Sequence, residues 1–146
     1  MKPDLRARAL NYLARREYSR DELYRKLLPH AEDRQALEDL LADFGVRGWL
    51  SERRFAEQVV RARQAKYGSL RIAHELREKG IAQAVVDAAL AEVRAGELET
   101  AQEVWRRKFG TLPADAADHA RQTRFLQSRG FAGEVIRKVL RQRDDD

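Results

Sequence analysis

"RFLQSRGFAGEVIRKVL" spans Arg124–Leu140, near the end of a 146-residue chain. Fifty positions earlier stands "AHELREKGIAQAVVDAAL", Ala73–Leu90. In both, a basic segment of helical spacing ends in a glycine, Gly80 or Gly130, and a large apolar residue follows at once. Apolar pairs then recur: Val85–Val86 and Ala89–Leu90 in one, Val135–Ile136 and Val139–Leu140 in the other. Self-similarity at a period of roughly 20 to 50 residues marks a stacked array. Leu27, Leu76 and Leu126 set the register, at spacings of 49 and 50. Four residues before them stand Leu23, Ile72 and Gln122, and four after them Ala31, Gly80 and Gly130. Ala36–Leu37 and Leu40–Leu41 supply the apolar pairs of a first copy. Three units fit the chain, with boundaries 1–47, 48–95 and 96–146.

Each unit reads as three helices. In the first, Leu5, Ala9, Tyr12 and Leu13 mark one face of an opening helix. "SRDE" at Ser19–Glu22 is a capping box that starts the second. Pro29 and His30 break that helix, and the third is expected over Asp33–Phe44, stopping before Gly45. In the second unit Ser51 caps a helix carrying Phe55, Val59 and Ala62. "YGS" at Tyr67–Ser69 interrupts the chain and caps "LRIAHELREK", which Gly80 terminates. In the third, Ala101, Val104, Trp105 and Phe109 make the opening face, "FGTLP" at Phe109–Pro113 is a turn, and a longer helix follows. No window alternates apolar and polar residues long enough for a strand. The expected fold is all-α, three tandem units of three helices each.

Composition narrows the function classes. There is no cysteine, so disulfides and thiolate chemistry are excluded. No apolar run approaches the ~18 residues of a membrane span. The charged start "MKPDLRARAL" lacks the apolar core of a secretion signal, and a cytoplasmic setting is expected. Net charge is +5, and 23 of the 29 basic residues are Arg, whose planar fork suits phosphate and carboxylate. Charge follows the repeat. Residues 1–30 carry eight basic and four acidic groups, and 31–50 carry two and five. Residues 51–80 carry eight and four, 81–100 one and four, and 101–143 ten and four, before the acidic end Asp144–Asp146. The first two helices of each unit are basic, and such an array presents an extended electropositive surface. The competing reading is a solvated exterior laced with i,i+4 pairs such as Glu75 with Lys79. Glu92 and Glu97, on or just after the last helix of unit two, belong to the acidic exterior on either reading.

Catalytic chemistry finds little purchase. His30, His74 and His119 are scattered, with no HExxH and no set able to assemble a zinc site. "GVRG" at Gly45–Gly48 is a turn, and no phosphate loop exists. Trp49, Trp105, Tyr12, Tyr18, Tyr67 and Phe131 could stack on bases, but packing in cores and repeat junctions is expected for most. A metal-dependent nuclease assembled by the fold is one rival; a helix-turn-helix protein reading the major groove of DNA directly is another.

The motifs in view resemble the RecX family, regulators of the RecA recombinase. "YLARREYSRDELYRKL" (Tyr12–Leu27) looks like its N-terminal signature, and "GWLSERRFAEQVVRARQAKYGSLRIAHELREKGI" (Gly48–Ile81) is similar to its central block. "RKFG" (Arg107–Gly110) and "RFLQSRGF" (Arg124–Phe131) resemble the last. The departures are Ser51 and Glu52, near the place of an Asp before "RFA", and Ala31–Glu32 where later units have glycine and a large apolar residue. The resemblance implies three tandem helix-turn-helix-like repeats in an elongated, curved module, and a monomer without catalytic activity, cofactor or metal is expected. It would lie in the groove of the RecA–single-stranded DNA filament and restrain strand exchange, ATP hydrolysis and coprotease activity. The basic helices would then face RecA and the phosphate backbone of single- or double-stranded DNA. In unit one the candidates are Arg15, Arg16, Arg20, Arg25 and Lys26. Unit two supplies Arg61, Arg63, Lys66, Arg71, Arg77 and Lys79. Unit three supplies Arg106, Arg107, Lys108, Arg121, Arg124 and Arg129.

Overall fold

The computed structural model describes residues 4–141. Among these the chain forms nine α-helices and no strand: α1 (Leu5–Arg15), α2 (Arg20–Leu27), α3 (Arg34–Val46), α4 (Glu52–Arg63), α5 (Ser69–Glu78), α6 (Gln83–Ala95), α7 (Glu97–Lys108), α8 (Ala116–Ser128) and α9 (Gly133–Leu140). A single 3₁₀ turn, Leu28–His30, follows α2. Pro29 sits at its start, where the missing N–H is not needed. Local signals account for most of the starts. Ser19 and Glu22 close the capping box reciprocally, and Asp4, Asp33, Ser51 and Asp115 each accept from a backbone N–H of the first turn they precede.

Three apolar clusters form, one per group of three helices, and the register leucines lie at their centres. Leu27, Leu76 and Leu126 are each fully buried. In five of the six following apolar pairs the second member goes deeper, Leu37, Val86, Ile136, Leu41 and Leu90, whereas in the last Val139 is fully buried and Leu140 slightly less so. Such a stripe repeats every three or four residues, which is the inward face of a helix. Gln122 takes the place of Leu23 and Ile72 and is just as buried. Its carbonyl oxygen accepts from Trp105 Nε1 at 2.8 Å, while its amide donates to the Thr111 carbonyl at 3.1 Å. Both polar ends are therefore satisfied inside the third cluster.

Tertiary structure overrides the local signals in four places. Helix α3 runs through Gly45 to Val46, and the left-handed turn falls on Gly48, at φ +76°. Gly45 has no neighbour within 4 Å of a Cβ position, so nothing there demands glycine. On α4 the buried face is Phe55, Ala56, Val59 and Val60, while Ala62 is exposed. Ser69 is the first residue of α5 rather than its cap, and its hydroxyl points away to Glu97. The pair Glu75–Lys79 does not form: Glu75 meets Arg63 of α4 at 2.9 Å, and Lys79 reaches Glu22 of α2 at 3.2 Å. Gly80 and Gly130 do end their helices, at φ +78° and +82°, in the region only glycine enters freely.

The units meet through these turns. The Gly80 turn abuts Asp21 at the start of α2. The Gly130 turn abuts Arg71 at the start of α5, where a Cβ would lie 2.6 Å from the Arg71 nitrogen. So the end of each unit's second helix rests on the beginning of the second helix before it.

Candidate partner-binding surface

The predicted basic residues separate into those already spent on carboxylates and those that are not. In unit one Arg16 forks onto both oxygens of Glu22 at 3.3 Å and lies 3.6 Å from the centre of the Tyr18 ring. Arg20 pairs with Glu38. Arg15, Arg25 and Lys26 are exposed with no ion pair among the described residues, and the Lys26 ammonium lies 5.4 Å from the Tyr12 ring. In unit two Arg63 and Lys79 hold the tertiary pairs above, and Arg77 donates to Gln83 Oε1 at 3.1 Å. Arg61, Lys66 and Arg71 have no carboxylate partner among the described residues. In unit three Arg106 and Arg107 share Glu103 at 2.7 and 2.9 Å, and Arg121 binds Asp118 at 2.7 Å. Lys108, Arg124 and Arg129 have no such partner among the described residues.

Carboxyl titration follows the same division. Hydrogen bonds from Arg106 and then Arg107 hold the Glu103 carboxyl down to about 2. Burial works to raise Glu22, but hydrogen bonds from Arg16, the Ser19 backbone and Lys79 outweigh it and leave the group below the ordinary carboxylate range.

The free cations converge where units two and three meet. Arg71 lies 4.1 Å from the centre of the Tyr67 ring, and Arg129 lies 5.5 Å from that ring and 5.1 Å from Phe125. Lys108 is 5.3 Å from Phe125, and Phe109 meets Phe125 edge to face at 5.4 Å. The result is a ladder of alternating cations and rings along a groove of about 630 Å³, lined by Lys66, Tyr67, Arg107, Lys108, Phe125 and Arg129. Among the described residues Glu103 is the one carboxylate on its wall. A guanidinium stacked on a ring is held in place while its N–H edge stays available, which suits it to phosphate or carboxylate.

Most of the aromatic residues do pack inside. Tyr18, Trp105 and Phe131 are buried, whereas Trp49 is partly exposed and lies 5.3 Å from Phe44, with Arg6 and Arg47 beside it. Tyr67 is the exception that joins the basic surface. Its partner Phe125 escaped the sequence reading, although Phe125 and Arg129 share a helix face at i,i+4 and that spacing was visible. Arg124 and Arg129 lie on or just beyond α8, Arg77 lies on α5, and the Asp144–Asp146 segment lies outside the described residues. Among the described residues no helix is long and apolar enough to cross a membrane, and no three His, Cys, Asp or Glu side chains gather to hold a metal ion.

The chain matches two family descriptions: "RecX, second three-helix domain" over residues 51–90, and "RecX, third three-helix domain" over residues 95–140. It is 51% identical to the regulatory protein RecX of Leptothrix cholodnii over 142 residues, covering 97% of this chain and 90% of that one. With the regulatory protein RecX of Chromobacterium violaceum the identity is 45%, covering 97% and 92%. The crystal structure of RecX from Lactobacillus salivarius superposes with a TM-score of 0.81 at 18% identity, covering 97% of this chain and 96% of the other. That last likeness concerns the fold alone.

Proposed function

The chain belongs to the RecX family, a family of regulatory proteins, and from that premise we propose that it is a non-catalytic regulator of the RecA recombinase. It binds along the groove of the RecA–single-stranded DNA filament as a cytoplasmic monomer and restrains strand exchange, ATP hydrolysis and coprotease activity. The units 1–47, 48–95 and 96–146 distribute the contacts over neighbouring protomers. Their basic helices face acidic protein surface and the DNA backbone.

The observation that supports this reading is the pair Arg71 and Arg129. Two guanidiniums share the Tyr67 ring, and neither has a carboxylate partner among the described residues. Like charges held close together at the end of an exposed groove are balanced best by an anionic partner. The test is co-sedimentation with RecA filaments, with bare single-stranded DNA and with duplex DNA, across a salt series. Retention by filaments at salt concentrations that release the protein from both bare DNAs supports the proposal. Equal retention on all three would instead favour the direct DNA-binding reading.

A further inference from the structure

The two joints between units are built from corresponding parts and are closed by different forces. Each opening helix begins with a glutamate, Glu52 on α4 and Glu97 on α7, placed between the second helix of the previous unit and the third helix of its own. Glu97 is buried and accepts from the Ser69 N–H at 3.1 Å, the Ser69 hydroxyl at 2.9 Å and the Ala132 N–H at 3.2 Å. Glu52 lies against the equivalent N–H groups of Arg20 and Ala82, yet its Oε2 is buried without a hydrogen-bond partner among the described residues.

The second joint is also closed backbone to backbone, and Arg71 Nη1 donates to the Ser128 carbonyl across it at 3.2 Å. The Gly68 N–H donates to the Arg129 carbonyl at 2.8 Å and the Leu70 N–H to the Gly130 carbonyl at 3.0 Å. Gly96 alone separates α6 from α7. At the first joint no backbone hydrogen bond links residues 4–47 to residues 51–95 among the described residues. Apart from Glu52 beside Arg20, its polar closure consists of side-chain ion pairs, Arg54 with Glu17 at 2.9 Å and Lys79 with Glu22 at 3.2 Å, all partly solvent-exposed. The connection from α3 to α4 is also longer, residues 47–51, and contains the left-handed Gly48.

We infer that units two and three form one stiff block, and that unit one is carried on an electrostatically closed hinge. Backbone hydrogen bonds shielded in a joint resist salt, whereas exposed ion pairs are screened by it. Added salt therefore opens the first joint and leaves the second unchanged. A polyanionic surface that competes with Glu17 and Glu22 for Arg54 and Lys79 does the same. This goes beyond the regulatory reading and does not depend on it.

The chain has no cysteine, so spin labels can be placed at will on exposed helical alanines. Ala14→Cys with Ala91→Cys spans the first joint, and Ala91→Cys with Ala117→Cys spans the second. Distance distributions are compared at about 0.05 M and about 0.5 M salt, a range over which screening becomes short-ranged. The first pair is expected to broaden and lengthen at high salt while the second stays narrow. Arg54→Glu should reproduce the broadening at low salt, and adding Glu17→Arg should restore the narrow distribution. Equal responses at the two joints, no response at either, or a charge swap that fails to restore order would each overturn the hinge.

Discussion

Glu97 and Ser69 stand 28 residues apart, and the Ser69 hydroxyl donates to the buried Glu97 carboxylate at 2.9 Å while the Ser69 N–H donates to it at 3.1 Å. From the sequence, Glu97 belonged to the acidic exterior. Among the described residues it is the one acidic or basic side chain that is buried, and it supplies the N-terminal acceptor that Gly68 and Ala132 cannot provide for α5 and α9. A carboxylate from a neighbouring helix thus does the work of two N-caps.

Glu97→Ala should therefore lower stability by about 3 kcal/mol, because it strands two backbone N–H groups and a hydroxyl in a buried joint. Glu97→Gln keeps an acceptor oxygen and should lose roughly half as much. Urea denaturation of the two variants measures this. A Glu97→Ala midpoint at the wild-type value would remove the bridging role.

Glycine at 80 and at 130 should not be equally replaceable. Both have positive φ, which costs a residue with Cβ about 1 kcal/mol. At Gly80 the added methyl meets the carboxylate of Asp21, a side chain that can swing aside. At Gly130 it meets the backbone nitrogen of Arg71 at 2.6 Å, and backbone cannot move without breaking the joint. Gly130→Ala should cost roughly twice what Gly80→Ala does, and Gly130→Val more again. Thermal midpoints of the variants decide it, and equal losses would argue against close backbone approach at the second joint.

Acid should act on the two carboxylates at the first joint in opposite senses. Glu22 lies below its ordinary range, so its contribution is present above about 4.5 and is lost as pH falls through the lower folded value. Burial pushes Glu52 up, so folding penalises its charged form. Stability associated with Glu52 is full below about 4.5 and is lost as pH rises through the raised folded value. Glu52→Gln should accordingly stabilise the protein at neutral pH and make little difference near pH 4. Denaturation midpoints across the pH range test this; a destabilised variant at neutral pH would contradict it.

Charge reversal at Arg124 together with Arg129, the latter on the ladder, should weaken regulation more than reversal elsewhere. Arg124→Glu with Arg129→Glu is expected to raise the concentration needed to inhibit RecA-promoted strand exchange about tenfold, with helicity unchanged. Arg77→Glu with Lys79→Glu should impair inhibition too, although Lys79 also holds Glu22 across the first joint. Glu97 is unsuitable as a control because it is buried, so exposed Glu92 and Glu99 serve instead. Inhibition is measured for all three double variants at two salt concentrations. Similar values would leave the ladder without a special role.

Periodicity, capping residues and turn glycines each act within a few residues of themselves. For that reason the three-unit plan, the buried leucines at 27, 76 and 126, the Ser19 capping box and the helix ends at Gly80 and Gly130 were all legible from the sequence alone. The assignment of charges was not. Lys79 had an equally good local partner in Glu75 and went instead to Glu22, 57 positions away in the chain. Glu97 read as solvated and became the bridge between two units. Arg71 and Arg129 acquired a shared ring only when α5 and the end of α8 were brought side by side. A helix surface offers a long charged side chain several partners of nearly equal energy. Only the packing of one unit on the next, driven by apolar burial and by backbone groups that must be paired, determines which of them it meets.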